Sequence, residues 1–261
     1  MQVVILCGGL GTRIREVSEN VLPKPMIPIG SKPILWHIMN NYAQAGHTDF
    51  ILCLGHLGSK VKEYFLNHQA MDTDVSVTLG RSPKIEYHGE YREEGWQVTL
   101  AETGEKAGTA ARVARIRKYI KDDHFMLTYG DGVSNVDFNR LIDFHTSHSK
   151  PLSITGVVPP GRFGELDVQD DRVTRMQEKP TESNRYINGG FMVINRDFID
   201  NYLNDCSTDL MLEQEPFAKA AEAGDMMMFK HDGFWQCMDT ARDWEYLNRL
   251  WQQQGAPWSD R

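Results

Sequence analysis

The 261-residue sequence predicts an α/β fold, a mostly parallel sheet with helices packed on its faces. Three observations point there. Short β-branched or apolar runs recur, stretches with apolar residues at helical spacing separate them, and two of the runs end in glycine-rich loops. Right-handed crossovers between such units leave the strands parallel, and ligands then bind beyond their carboxyl ends.

Val3-Val4-Ile5-Leu6, stopped by Gly8-Gly9, predicts a buried strand feeding a loop. Pro33 opens a helix carrying Ile34, Leu35, Ile38, Met39 and Tyr42, which Gly46 stops. Phe50 to Leu54 is a second strand, and Val61, Tyr64 and Phe65 mark a second helix. Trp96 to Leu100 is a third strand, Arg112 to Ile120 a helix, and Phe125 to Tyr129 a strand running into Gly130-Asp131-Gly132. His68 to Gly95 is irregular. The second half predicts a strand over Leu152 to Val158 and a hairpin of Gly164 to Val168 with Val173 to Gln177 about Asp170-Asp171. A strand over Ile187 to Ile194 follows, then helices near Leu210 to Ala223, broken at Pro216, and Thr240 to Trp251. Met226-Met227-Met228 is expected in a core strand. With no repeat or linker in view, residues 1–261 are expected to form one domain.

The formal charge of −8 argues against a nucleic-acid partner but leaves room for one basic pocket. No apolar run approaches the ~20 residues of a membrane-spanning helix, and no secretion signal is evident. Cys7, Cys53, Cys206 and Cys237 are far apart and read as reduced packing residues of a cytoplasmic protein.

Six stretches carry chemistry. In Gly8-Gly9-Leu10-Gly11-Thr12-Arg13, glycines let backbone N–H groups turn toward an anion while Thr12 and Arg13 add donors. Position 14 is Ile, so the dinucleotide fingerprint fails, and without a Gly-Lys-Ser/Thr the P-loop fails too. Pro23 and Pro25 restrict the backbone about Lys24, holding an ammonium group in a fixed approach. Asp131, between glycines at a strand's end, suits Mg²⁺, as does Asp239 ahead of the last helix. Lys179 in Glu178-Lys179-Pro180 suits a second phosphate, and Asn188-Gly189-Gly190 suits sugar hydroxyls. Each has a plainer reading as a turn, a solvated lysine or a helix cap; Thr240 with Asp243 has capping-box spacing, which leaves Asp239 available. His145 and His148 lie at i, i+3 on an expected helix without an evident third ligand, and Trp235 is close enough to Asp239 in sequence to edge a pocket.

In this order, these motifs resemble the sugar-phosphate nucleotidyltransferase family over essentially the whole chain. Lys32 to Met39, Thr128 to Val133, Pro159 to Gly164 and Phe234-Trp235 are similar to the branch that uses CTP and glucose 1-phosphate. The resemblance implies a Rossmann-like, GT-A-like fold with a mixed sheet, and a role in making CDP-glucose for nucleotide-sugar and O-antigen-type lipopolysaccharide biosynthesis. It implies that Leu6, Gly8, Gly9, Leu10, Gly11, Thr12, Arg13, Lys24, Arg112, Gly130 and Asp131 bind nucleotide, with Arg13 and Lys24 catalytic. Glu178, Lys179, Asn188 and Gly189 would bind the sugar phosphate, and Asp131 and Asp239 would hold Mg²⁺. Relatives form homo-oligomers, for which the chain ends and residues 68–95 are candidates. Thr109-Ala110-Ala111-Arg112 stands where the cytidylyltransferases carry Thr-Gly-Gly-Arg, and Ala107 where relatives can carry serine, so a less close backbone approach is expected. The alternatives kept open are another nucleoside triphosphate (UTP, dTTP or GTP) or sugar 1-phosphate, a non-catalytic sugar-nucleotide-binding subunit, and an NAD-dependent oxidoreductase.

Overall fold

A computed structural model describes residues 1–19, 21–90, 93–159, 165–169, 172–177, 186–204, 206–253 and 255–259. In chain order its first half contains β1 (Val3–Leu6), α1 (Arg15–Ser18), β2 (Pro28–Ile29), β3 (Lys32–Pro33), α2 (Ile34–Gln44), β4 (Asp49–Leu54) and α3 (Gly58–Asp72). Next come β5 (Asp74–Thr78), β6 (Lys84–His88), β7 (Gln97–Glu102), α4 (Thr109–Arg115), β8 (His124–Tyr129), β9 (Gly132–Ser134) and α5 (Phe138–Thr146). The rest is β10 (Leu152–Val157), β11 (Glu165–Gln169), β12 (Arg172–Gln177), β13 (Ile187–Asn195), α6 (Arg196–Tyr202), α7 (Glu215–Glu222), β14 (Met226–His231), β15 (Trp235–Cys237) and α8 (Ala241–Gln252).

Seven strands form the central sheet in the order β14-β10-β13-β8-β1-β4-β7. All neighbours are parallel except β13, which runs antiparallel to both β8 and β10. The first half is therefore the expected parallel unit, and β13 makes the sheet mixed.

Strand alternation divides the core in two. Val3, Ile5, Phe50, Leu52, Leu54 and Met126 face one layer with Leu35, Met39 and Val61, and Val4, Leu6, Ile51, Cys53, Phe125 and Leu127 face the other with Val113, Phe198 and Phe217. Residues one apart thus bury on opposite faces, which is why these strands read as continuous apolar runs.

Several expectations are corrected. The segment after α3 contains the antiparallel hairpin β5–β6, with Thr78 paired to Lys84; its exposed Val77, Ile85 and Tyr87 obscure any inside–outside alternation. The helix read from Arg112 begins at Thr109 and passes into a 3₁₀ turn at Arg117–Tyr119. Pro216 sits in the first turn of α7, where its missing N–H has no intrahelical partner to lose, so it starts the helix instead of breaking it. Met226–Met228 do lie on a strand, but β14 is the sheet's edge, and Met227 and Met228 are exposed. α5 ends at Thr146, so His148 lies beyond it. The β11–β12 hairpin forms as expected, while Asp170, Asp171 and Pro160 to Gly164 lie outside the described residues.

Candidate active site

The loop after β1 begins the site. Gly11 adopts φ 58°, the left-handed conformation that glycine accepts without strain. A Cβ on Gly8 would lie 2.2 Å from the Arg112 guanidinium, so close packing there requires glycine. Gly9 differs: a Cβ there would meet nothing within 4 Å, and its φ lies outside the left-handed region. The packing around position 9 therefore sets no requirement for glycine there.

Lys24 opens a short 3₁₀ turn over Lys24–Met26, closed by Ile27 N–H donating to Lys24 O at 3.1 Å. Pro25 packs beneath Gly130, where a Cβ would stand 3.0 Å from the proline ring and 2.9 Å from Leu6 O. The glycine before Asp131 thus lets β8's end close over the lysine turn.

Asp131 and Asp239 are brought side by side by pairing of β9 with β15, in which Gly132 stands opposite Cys237. Met238 N–H also donates to Asp131 O at 2.8 Å. Thr240 and Asp243 form a reciprocal capping box on α8. The cap is therefore made by Thr240, and the Asp239 carboxylate turns to the site.

Lys24 Nζ lies between the two acids, 2.6 Å from Asp131 Oδ2 and 2.5 Å from Asp239 Oδ1. Arg13 Nη1 reaches Asp239 Oδ2 at 3.0 Å. Burial alone would push the Lys24 ammonium down, but the charges and hydrogen bonds of Asp131 and Asp239 outweigh it and hold the group above its ordinary value. Two carboxylates far apart in sequence thus converge on one cation.

These groups line a cavity of about 780 Å³. Leu6, Gly8, Gly9, Leu10, Gly11, Thr12, Arg13, Lys24, Arg112, Gly130, Asp131 and Asp239 all border it. Arg112 does so while anchored: Nη1 donates to Leu54 O (2.9 Å), Thr103 Oγ1 (2.8 Å) and Gly104 O (2.9 Å), and Nη2 to Gly8 O (2.9 Å). It braces the glycine loop against the segment entering α4, and that burial pushes its pKa down. Ala110 and Ala111 are buried and do not line the cavity; Ala110 packs in the second core layer, so their methyl groups leave the cavity's width unchanged. Ala107 does line it.

Asn188 and Gly189 stand one step back. Asn188 Nδ2 donates to the Tyr129 hydroxyl at 3.1 Å, and Tyr129 borders the cavity while bonding to Glu213. Trp235 Nε1 donates to Gly189 O at 2.8 Å, tying β15 to β13 instead of edging the cavity. Glu178 and Lys179 lie outside the described residues. Sequence reasoning missed the wall of Tyr129, Asp209, Met211 and Glu213, which gathers ordinary residues without motif spacing. His145 is held by Ser153 and Asn195 at 2.8 and 2.6 Å, with His124 at 3.3 Å. The four cysteines form no disulfide. Among the described residues no helix is long and apolar enough to cross a membrane.

A glycine loop, a buried lysine and paired aspartates at the carboxyl ends of parallel strands define an α/β enzyme that handles phosphorylated ligands. Residues 2–253 match the family model described as nucleotidyl transferase, and the chain belongs to that family. It is 48% identical over 259 residues to proteins named glucose-1-phosphate cytidylyltransferase from Salmonella typhi and Salmonella typhimurium, covering 99% of this chain and 98% of each relative. The fold is also similar to HddC from Yersinia pseudotuberculosis, with a TM-score of 0.68 at 24% identity over 96% of this chain and 99% of that one.

Proposed function

We propose that the chain transfers the cytidylyl group of CTP to α-D-glucose 1-phosphate, forming CDP-glucose and pyrophosphate for nucleotide-sugar biosynthesis. The convergence of Asp131 and Asp239 on the Lys24 ammonium, beside the glycine loop, carries the reaction class. The base and sugar follow the relatives that share 48% identity over nearly the full chain.

A phosphate monoester has its second pKa near ~6 and is largely dianionic at neutral pH. The sugar phosphate is therefore already a nucleophile and needs no general base. Its oxygen attacks the α-phosphorus in line, the bond to the bridging oxygen breaks, and pyrophosphate leaves. The chain's task is alignment and charge neutralisation. N–H groups of the loop from Gly8 to Thr12 meet the triphosphate, and Arg13 and Lys24 absorb charge developing on the transferred and leaving groups. Arg112 keeps the loop in place through Gly8 O. Asn188, reaching the cavity through Tyr129, takes the sugar side, a role the family resemblance also gives to Gly189, Glu178 and Lys179.

Two carboxylates that close on one ammonium nitrogen form an oxygen-donor pair suited to a hard divalent cation. Asp131 and Asp239 would hold Mg²⁺, which when bound neutralises phosphate charge. We further infer a cytoplasmic homo-oligomer that uses the β5–β6 hairpin, where Val77, Leu79, Ile85 and Tyr87 are exposed.

The test is pyrophosphate release with glucose 1-phosphate and each of CTP, UTP, dTTP and GTP. CTP should be the preferred donor; a preference for another donor would replace the assigned base, and release from none would refute the transfer.

A further inference from the structure

We propose that His68, Asp72 and Glu93 form a second metal site, for a transition-metal dication of the zinc type, remote from the nucleotide cavity. His68 and Asp72 are four residues apart on α3 and share one of its faces. Glu93 lies in the turn ahead of β7. One ligand atom from each residue lies within 4.8 Å of the other two.

The second observation is an orphaned carboxylate oxygen. Glu93 is only 5% exposed; its Oε1 accepts from Trp36 Nε1 at 2.6 Å, but its buried Oε2 has no hydrogen-bond partner among the described residues. A buried carboxylate oxygen left unpartnered is costly, and a cation would compensate it. The indole that fixes Oε1 is the kind of outer contact that orients a metal-bound carboxylate.

The donor chemistry selects the ion. One imidazole nitrogen with two carboxylate oxygens suits Zn²⁺, whereas Mg²⁺ favours oxygen alone. His68 is 4% exposed, so its ring nitrogen is a donor held inside the protein and not a mobile surface group. Lys32 also faces the group, paired with Asp72 and 5.5 Å over the Trp36 ring. Two carboxylates against one ammonium leave a negative charge for a dication to offset. Tetrahedral bonds of about 2.1 Å place donors about 3.4 Å apart, so the three side chains need only a modest contraction. A cavity of about 220 Å³ bordered by Phe65, His68, Glu93 and Trp96 gives an ion room to enter.

The place in the fold gives the site its role. α3 follows β4 and runs back along the sheet, so its last turn lies toward the amino ends of the strands, near Trp96 at the start of β7. The nucleotide cavity opens at their carboxyl ends. An ion at the first position pins α3 to the turn entering β7 and takes no part in transfer, so this inference is independent of the proposed substrates.

The experiment is Zn²⁺ titration of the metal-stripped full chain against a chromophoric chelator. The same titration of Asp131→Asn isolates any ion held in the nucleotide cavity, and circular dichroism confirms folding. Asp131→Asn should bind one equivalent, and the unaltered protein should bind that equivalent in addition to any held by Asp131 and Asp239. His68→Gln and Glu93→Gln should each weaken it at least about 10-fold, the range seen when a metal's immediate surroundings are altered. Zinc-soaked crystals of the unaltered protein, scanned for anomalous scattering, give an answer even if the variants misfold, with a peak expected among the three side chains. Failure of the unaltered protein to bind, equal binding in both folded variants, or a peak found only elsewhere would overturn the proposal.

Discussion

Replacing Lys24 by methionine removes the ammonium that both acids share and leaves two carboxylates facing each other. Its side chain is 11% exposed, with Asp239 at 18% and Asp131 at 32%. Breaking a fully buried ion pair costs about 3–5 kcal/mol; because Asp131 is partly open to solvent, screening reduces the loss here to about 2 kcal/mol. Asp131→Asn in the same background neutralises one of the two acids and so removes the repulsion between them, and the double variant should be more stable than the sum of the single losses predicts. A coupling of about 1.5 kcal/mol is expected for contacting charged groups. Urea denaturation of the wild type, both single variants and the double variant, without added metal, measures it. Additivity within about 0.5 kcal/mol would show that Lys24 and Asp131 do not interact and would refute the geometry. The raised Lys24 pKa sets the pH window: this stabilisation is complete below the ordinary lysine value and is lost only as pH rises through the higher folded value. The coupling should therefore persist at mildly alkaline pH. Turnover should fall roughly 10²-fold or more in Lys24→Ala and in Asp131→Asn, the scale of a lost electrostatic stabiliser.

Gly9→Ala should leave the urea midpoint unchanged, because the added methyl meets no protein atom within 4 Å; the KM for CTP should nevertheless rise by roughly an order of magnitude if a phosphate approaches that backbone. Steady-state kinetics beside denaturation separates the two effects. Arg112→Lys should destabilise the protein by about 2–3 kcal/mol, since one ammonium cannot reach the Leu54, Gly104 and Gly8 carbonyls that the guanidinium fork serves together. Burial lowers the His37 pKa to about 4, with Nε2 2.9 Å from Ile29 O. The unfolded chain then binds a proton that the folded one excludes, so stability should be full above about pH 6.5 and fall by roughly 3 kcal/mol toward pH 4. His37→Gln should flatten that part of the pH–stability profile.

The parallel half of the fold was legible because β1, β4 and β8 are buried on both faces and their apolar runs are uninterrupted. The β5–β6 hairpin was not, because every residue of β6 is exposed and no inside–outside pattern survives. Pro216 marked a boundary, but its sense depended on where the helix began, which tertiary contacts decide. At the site, the glycine loop, Lys24, Asp131 and Asp239 were each visible as local chemistry. What brings the two acids together, the pairing of β9 with β15, joins short strands that carry no periodic signal. Arg112 was noticed through a family segment; its brace on Gly8 O is a long-range contact that spacing cannot encode. Tyr129 and Glu213 escaped notice for the same reason: they become a wall only when β8 and the segment before α7 are placed side by side.

A crystal structure of the protein with CTP and Mg²⁺ tests the central claim most directly. One ion should touch the carboxylates of both Asp131 and Asp239, with the triphosphate against the loop from Gly8 to Arg13 and the Lys24 ammonium turned from the acids to a phosphate. A nucleotide bound away from that loop, or an ion held by neither aspartate, would contradict it.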